Sequence, residues 1–196
     1  AIPVYGWIAA AVLSIIGALL PGAKPSNKTG SATIGLGDGS IYVFGQEGSK
    51  FSQENRDAAR SIAQSIYSIS QNLEQLLGQR IYGAVTVDVG NRDGIAARFN
   101  DGPTRHYSRD QDGQRGMARD IVLDIVRSLD LPGVMRAALD RVDYSNIEST
   151  MEGLAKVAAA TNGGRLSEAQ IAAGSFLNWE SLDTALADLT WIKDVY

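Results

Sequence analysis

The spacing of apolar residues changes along this chain, and each change marks a new kind of element. Residues 7–20 form an almost unbroken apolar run, and no charged side chain precedes Lys24. A linker follows at residues 21–30, where Pro21, Gly22, Pro25 and Gly30 interrupt any helix. Residues 31–36 and 40–44 then flank Gly37-Asp38-Gly39, where glycine accepts the positive φ of a tight hairpin turn. From residue 52 to 77 the period lengthens. Ala59, Ile62, Ile66, Ile69, Leu73 and Leu76 fall at steps of 3, 4, 3, 4 and 3, the stripe of an amphipathic helix. Ser52 or Ser49 can cap that helix, Glu54 and Asp57 suit its positive end, and Gly78 suits its exit.

A second hairpin is predicted where Val85, Val87 and Val89 alternate, residues 90–94 turn, and Ile95, Ala97 and Phe99 alternate back. Asn100-Asp101-Gly102-Pro103 ends the strand, and residues 104–116 read as a polar loop. Met117, Ile121, Ile125 and Leu129 recur at steps of 4, which predicts a helix over 117–129 and, beyond Leu131-Pro132-Gly133, a shorter one over 134–141. Near the end, residues 143–154 echo residues 178–189: a cap, an aromatic, then apolar positions. Ordinary helix-start chemistry explains that echo without a repeat. The aromatic finish from Trp191 to Tyr196 reads as docked.

Together these patterns predict an α+β fold. Two β-hairpins form a small four-stranded antiparallel sheet packed by a long amphipathic helix, with an apolar N-terminal helix and a C-terminal helical region. The divisions expected are 1–24, 25–131 and 132–196. The seam Ile62, Ile66, Ile69, Leu73 and Leu76 holds the helix to the sheet; the rival reading, a self-associating coiled-coil seam, has under three heptads to work with.

The apolar run needs a home. It lacks the basic start of a signal peptide. A bilayer-spanning helix takes about 20 apolar residues to cross about 30 Å, whereas the clean run here is 14 and its widest extension, Ile2 to Leu20, is 19. Gly6, Gly17 and four alanines permit close helix approach. Trp7, Ile8, Val12, Leu13, Ile15, Ile16, Leu19 and Leu20 are therefore the candidates for contact with other copies, with lipid, or with the core of a larger parent domain. A chain that opens inside such a stretch is expected to be the tail end of something longer.

Charge narrows the partners. The net charge is −4, with 12 Arg against 12 acidic residues over 51–142, but 3 basic against 8 acidic residues over 143–196. That acidic end argues against non-specific nucleic-acid binding there. With no cysteine and a single histidine, His106, there are no disulfides, no thiol chemistry and no two-histidine metal centre.

Each candidate for chemistry has a plainer reading beside it. His106 can enter a Ser-His-Asp set, yet no Gly-x-Ser-x-Gly elbow occurs, which favours a surface histidine in a polar loop. Asp110-x-Asp112-Gly113 starts like a calcium loop but lacks the ligands that complete one. Asp88, Asp93 and Asp101 can be drawn as paired carboxylates for glycan hydrolysis, though aspartates in turns are commonplace. Gly35-x-Gly37-x-Gly39 has no helix behind it to make a phosphate loop. Asn27-Lys28-Thr29 is a glycosylation triplet, informative only in a secreted eukaryotic chain. Arg98, Arg105, Arg109, Arg115 and Arg119 lie near Phe99 and Tyr107, a set that reads better as a salt-bridged loop or protein interface than as a nucleic-acid groove. No residue is singled out as catalytic, and no metal or cofactor is expected.

The order of parts resembles the C-terminal region of a tail tape-measure protein from a long-tailed bacteriophage or a gene-transfer-agent-like particle. The residues carrying this are the apolar run, the linker Lys24-Pro25-Ser26-Asn27-Lys28-Thr29-Gly30, the glycine-rich hairpin, Gly48-Ser-Lys50-Phe51-Ser52-Gln-Glu54-Asn55-Arg-Asp57-Ala58-Ala59, and Val89-Gly90-Asn-Arg92-Asp93-Gly94. The likeness covers roughly residues 7–100 in short, loose motifs. It implies a virion protein of the tail lumen and tail tip, present in several copies, often three, and lying against hub and distal-tail proteins. It also implies apolar segments that help DNA pass the host membrane. Some members of that family carry peptidoglycan-cutting domains; nothing in this sequence matches one. The expected role is structural, acting by packing and not by catalysis, with a membrane-inserting protein as the alternative and a cell-wall hydrolase behind it.

Overall fold

Val85, Val87 and Val89 point to one side of a strand and Ala32 and Ile34 to the same side of another, and pairing these two strands builds the sheet. The computed structural model describes residues 28–44, 51–90, 94–131 and 133–160. Five antiparallel strands run in the order β2-β1-β3-β4-β5. They are β1 (Thr29–Gly35), β2 (Ile41–Phe44), β3 (Ala84–Gly90), β4 (Gly94–Phe99) and β5 (Arg105–Tyr107). The two expected hairpins, β1–β2 and β3–β4, join through β1 and β3, with Ala32 opposite Val87 and Ile34 opposite Val85. Their apolar residues share one face, as period-2 alternation demands.

That face is covered by helices. Helix α1 (Gln53–Leu77) starts where the Ser52 hydroxyl accepts from the Asn55 N–H at 3.4 Å, and ends at Gly78, whose N–H reaches the Glu74 carbonyl at 2.9 Å. Glu74 also secures the exit: its carboxylate accepts from the Ile81 N–H at 2.7 Å. Ile62, Ile66, Ile69, Leu73 and Leu76 all lie buried against β1 and β3, and even Leu76 is only 9% exposed. Burial of such side chains contributes about 1.5–3 kcal/mol each. The seam is occupied by the chain's own sheet.

Helix α2 (Gln111–Ser128) lies over β4 and β5, burying Met117, Ile121 and Ile125. Helices α3 (Gly133–Leu139) and α4 (Ile147–Ala160) close the far side through Met135, Leu139, Ile147 and Leu154. Residues 133–160 therefore share one hydrophobic core with the sheet. The architecture is α+β, with every described helix on one side of the sheet.

The sheet departs from expectation at its edge and in the helix that follows. Residues 104–116 are not one polar loop. Arg105–Tyr107 forms a fifth strand, and α2 begins at Gln111 instead of Met117. The strand is fixed by polar side chains with distant partners, Arg105 on Asp124 and Tyr107 on Asp120, whereas the earlier helix start is set locally by the Asp110 cap. Helix α3 stops at Leu139, because Asp140, Arg141 and Val142 curl into turns on the carbonyls of Arg136, Ala138 and Leu139. The apolar segment with Trp7, Ile8, Val12, Leu13, Ile15, Ile16, Leu19 and Leu20 lies outside the described residues. So do the alternative cap Ser49, the echo at 178–189 and the finish at Trp191 to Tyr196.

Candidate functional site

Alternation that turns valines inward turns another set of residues outward, onto a sheet face that no described helix covers. One row across this face runs Ser31, Asp88, Ala96, His106; the next runs Tyr42, Thr33, Thr86, Arg98. The polar groups of the inner strands satisfy one another. The Ser31 hydroxyl donates to the Asp88 carboxylate, and the hydroxyls of Thr33 and Thr86 share a hydrogen bond of 2.9 Å. Toward β5 the face opens. Arg98 and His106 are exposed, and the small side chain of Ala96 stands between Asp88 and His106. At the opposite edge Tyr42 is 62% exposed.

His106 therefore sits on a strand and not in a loop. Its row reads serine, carboxylate, alanine, histidine, whereas a catalytic triad places the imidazole between hydroxyl and carboxylate. Asp101 is exposed in the turn after β4. Beside it Asn100 adopts a φ of 49° and accepts from the Ala84 N–H at 2.8 Å, so the turn is tied to the start of β3. Asp93 lies outside the described residues.

The stretch Asp110-x-Asp112-Gly113 is the N-terminal cap of α2. The Asp110 carboxylate accepts from the Ser108 hydroxyl at 2.5 Å and from the Gly113 N–H at 2.8 Å, and both bonds hold it below its ordinary pKa. Among the described residues no three His, Asp or Glu side chains gather to hold a metal ion.

Of the clustered arginines, Arg105, Arg109, Arg115 and Arg119 are bound to the fold, and Arg98, among the described residues, is not. Arg105 makes a two-pronged pair with Asp124 at 2.7 and 2.9 Å, which raises the guanidinium pKa further. Tyr107 donates to Asp120 at 3.0 Å, and its phenol is raised first by burial and then by that carboxylate. Arg119 braces Asp120 at 2.7 Å and reaches the Ser145 carbonyl at 3.2 Å. Arg109 donates to the Gly90 carbonyl at 2.6 Å, and Arg115 stands 3.6 Å from Glu148. Sequence reasoning had Arg105 and Tyr107 but missed Asp120 and Asp124. Spacing carried the signal: two apart on a strand, four apart on a helix, each pair on one face.

A further cluster joins the linker to the domain. Asn55 donates from Nδ2 to the Lys28 carbonyl at 2.9 Å, and the Ser52 N–H donates to the Thr29 carbonyl at 3.1 Å. Gly30 is pressed so close that a Cβ there would lie 2.1 Å from the Arg56 nitrogen. Elsewhere a depression of about 90 Å³ lies between Val126, Leu139 and Tyr144, with Arg127, Arg136 and Asp140 at its rim. Burial, then the Asp140 charge, pushes the Tyr144 phenol up to about 12, and its hydroxyl is engaged by the Leu139 carbonyl at 2.7 Å.

No described helix is long and apolar enough to cross a membrane. No protein-family model, curated protein or solved structure matches this chain.

Proposed function

We propose that this chain is a structural part of a phage-like tail tip, comparable to the C-terminal region of a tape-measure protein, and that it works by packing against neighbours. The observation that carries this reading is the joint at Lys28–Gly30. The described parts of two segments on which the resemblance rests meet there, Lys28–Gly30 of the linker and residues 51–59 of the stretch that begins at Gly48. Asn55 and Ser52 grip the linker carbonyls, and Gly30 lets the backbone of α1 lie directly against β1. A chain leaving the apolar segment thus enters the domain in an inner strand, bonded on both sides. Displacing it would shear many backbone bonds together, as suits a domain hung from an anchored segment.

The polar side chains favour the same reading. Arg105, Arg109, Asp110, Asp120 and Asp124 are engaged in caps and cross-element bonds. Partners on this reading are further copies of the chain, three by the resemblance, together with hub and distal-tail proteins. Trp7, Ile8, Val12, Leu13, Ile15, Ile16, Leu19 and Leu20 supply the contact between copies. The alternative is insertion of that segment into lipid, favoured by its lack of charge.

Sedimentation of the intact chain and of a chain lacking residues 1–24 tests the proposal. The intact form is expected to associate and the shortened form to do so less; equal, monomeric behaviour of both would remove the assembly role. Flotation with liposomes separates the alternative, since a segment made for protein contacts leaves the vesicles after a salt wash.

A further inference from the structure

We infer that a second copy of this chain docks on the open face of the sheet about a two-fold axis, each copy's Arg98 crossing the other's Ala96 to meet Asp88. This deepens the assembly reading and rests on it.

The face is self-complementary in charge. Arg98 on β4 and Asp88 on β3 carry opposite charges on neighbouring strands, one row apart. A two-fold contact brings residue i of one copy to residue j of the other, and j to i, so both charges find partners from a single rotation. The guanidinium of Arg98 is exposed, and no hydrogen bond or ion pair among the described residues engages it. Its five donors suit a carboxylate. Ala96, the smallest side chain of its row, stands between Asp88 and His106, so a long side chain from the other copy meets least bulk there.

Burial of this face is feasible because its inner polar groups are already paired. Ser31 bonds Asp88 and Thr33 bonds Thr86 within one chain, so covering them strands no hydroxyl. Asp88 keeps acceptor capacity beyond the Ser31 bond, because a carboxylate offers about four acceptor sites. Edge-to-edge pairing is the less suitable route: β2 has four residues and β5 three, and β5 is tied down by Arg105 and Tyr107. A two-fold contact joins chains in even numbers. Its stoichiometry is therefore separable from any three-fold bundle of the apolar segment.

The absence of cysteine makes the test direct. In the intact chain, a single Ala96→Cys on the open face is expected to be captured as a dimer by a short bis-maleimide. Gln64→Cys, exposed on α1, is not. In the Ala96→Cys chain, Asp88→Arg or Arg98→Asp is expected to reduce capture about tenfold, and mixing the two reversed chains to restore it. Arg98→Ala, which trims an exposed side chain, should weaken capture while leaving the melting curve in place. Equal capture at positions 96 and 64, or capture indifferent to both reversals, overturns the proposal. If the chain still associates but Ala96→Cys is not captured, only this contact falls. If the intact chain sediments as a monomer, the assembly reading falls with it.

Discussion

The two faces of the sheet are built from the same strands by alternate residues, yet they obey different rules. On the helix side, Ala32, Ile34, Val85, Val87, Val89, Ile95, Ala97 and Phe99 are excluded from water, and their identity is set by volume. On the open side, Ser31, Thr33, Thr86 and Asp88 are held by cross-strand hydrogen bonds, and beyond them Arg98 and His106 extend into solvent. Stability thus resides in one face, which leaves the other free to carry contacts. The same division appears among the charged groups. Arg105 and Arg98 lie on adjacent strands, but Arg105 turns inward to Asp124 and serves the fold, whereas Arg98 turns outward.

This contrast can be broken from either side. The largest effect is expected from Leu73→Ala on α1, which opens a cavity beneath the sheet and should cost about 3 kcal/mol in urea denaturation. A loss below about 1 kcal/mol would mean that the helix is not anchored by its seam. Ser52→Ala should cost about 1 kcal/mol, because it removes the helix cap while its backbone N–H stays on the Thr29 carbonyl. A double-mutant cycle on Arg105 and Asp124 should give a coupling of about 1 kcal/mol, a partly exposed pair being screened by water. The smallest effect belongs to the open face. Thr33→Val with Thr86→Val exchanges a hydroxyl pair for methyls and should shift stability by less than about 0.5 kcal/mol.

Acid distinguishes caps from core. Asp110 is held below its ordinary value by Ser108 and Gly113, and Asp38 and Asp143 by Ser40 and Ser145. A carboxyl depressed in the folded state adds stability above its unfolded value, about pH 4, and loses that contribution as pH falls through the folded value. Melting temperature should therefore decline on the acid side of about pH 4. Asp110→Asn keeps a capping oxygen and should flatten part of that decline; an unchanged acid limb would argue that the cap does not contribute.

What could be read in the sequence was whatever depends on local periodicity. The stripe from Ala59 to Leu76, the caps Ser52 and Gly78, and the alternation at Val85, Val87 and Val89 are visible because each residue's role follows from its neighbours. The join between β1 and β3 is not, since pairing Ala32 with Val87 is decided 55 residues away by shared burial. Nor is β5: Arg105 and Tyr107 look like loop residues until Asp124 and Asp120 are seen to receive them. The open face was hidden for a related reason. Ser31, Asp88, Ala96 and His106 come from four strands, and only the register puts them in a row.

The proposal that this chain works by assembling with neighbours is tested most directly by the mass of the intact chain in solution. One chain weighs 20.9 kDa. Sedimentation equilibrium over a range of concentrations is predicted to return multiples of that mass. A single-chain mass at every concentration, with and without lipid, would contradict the account.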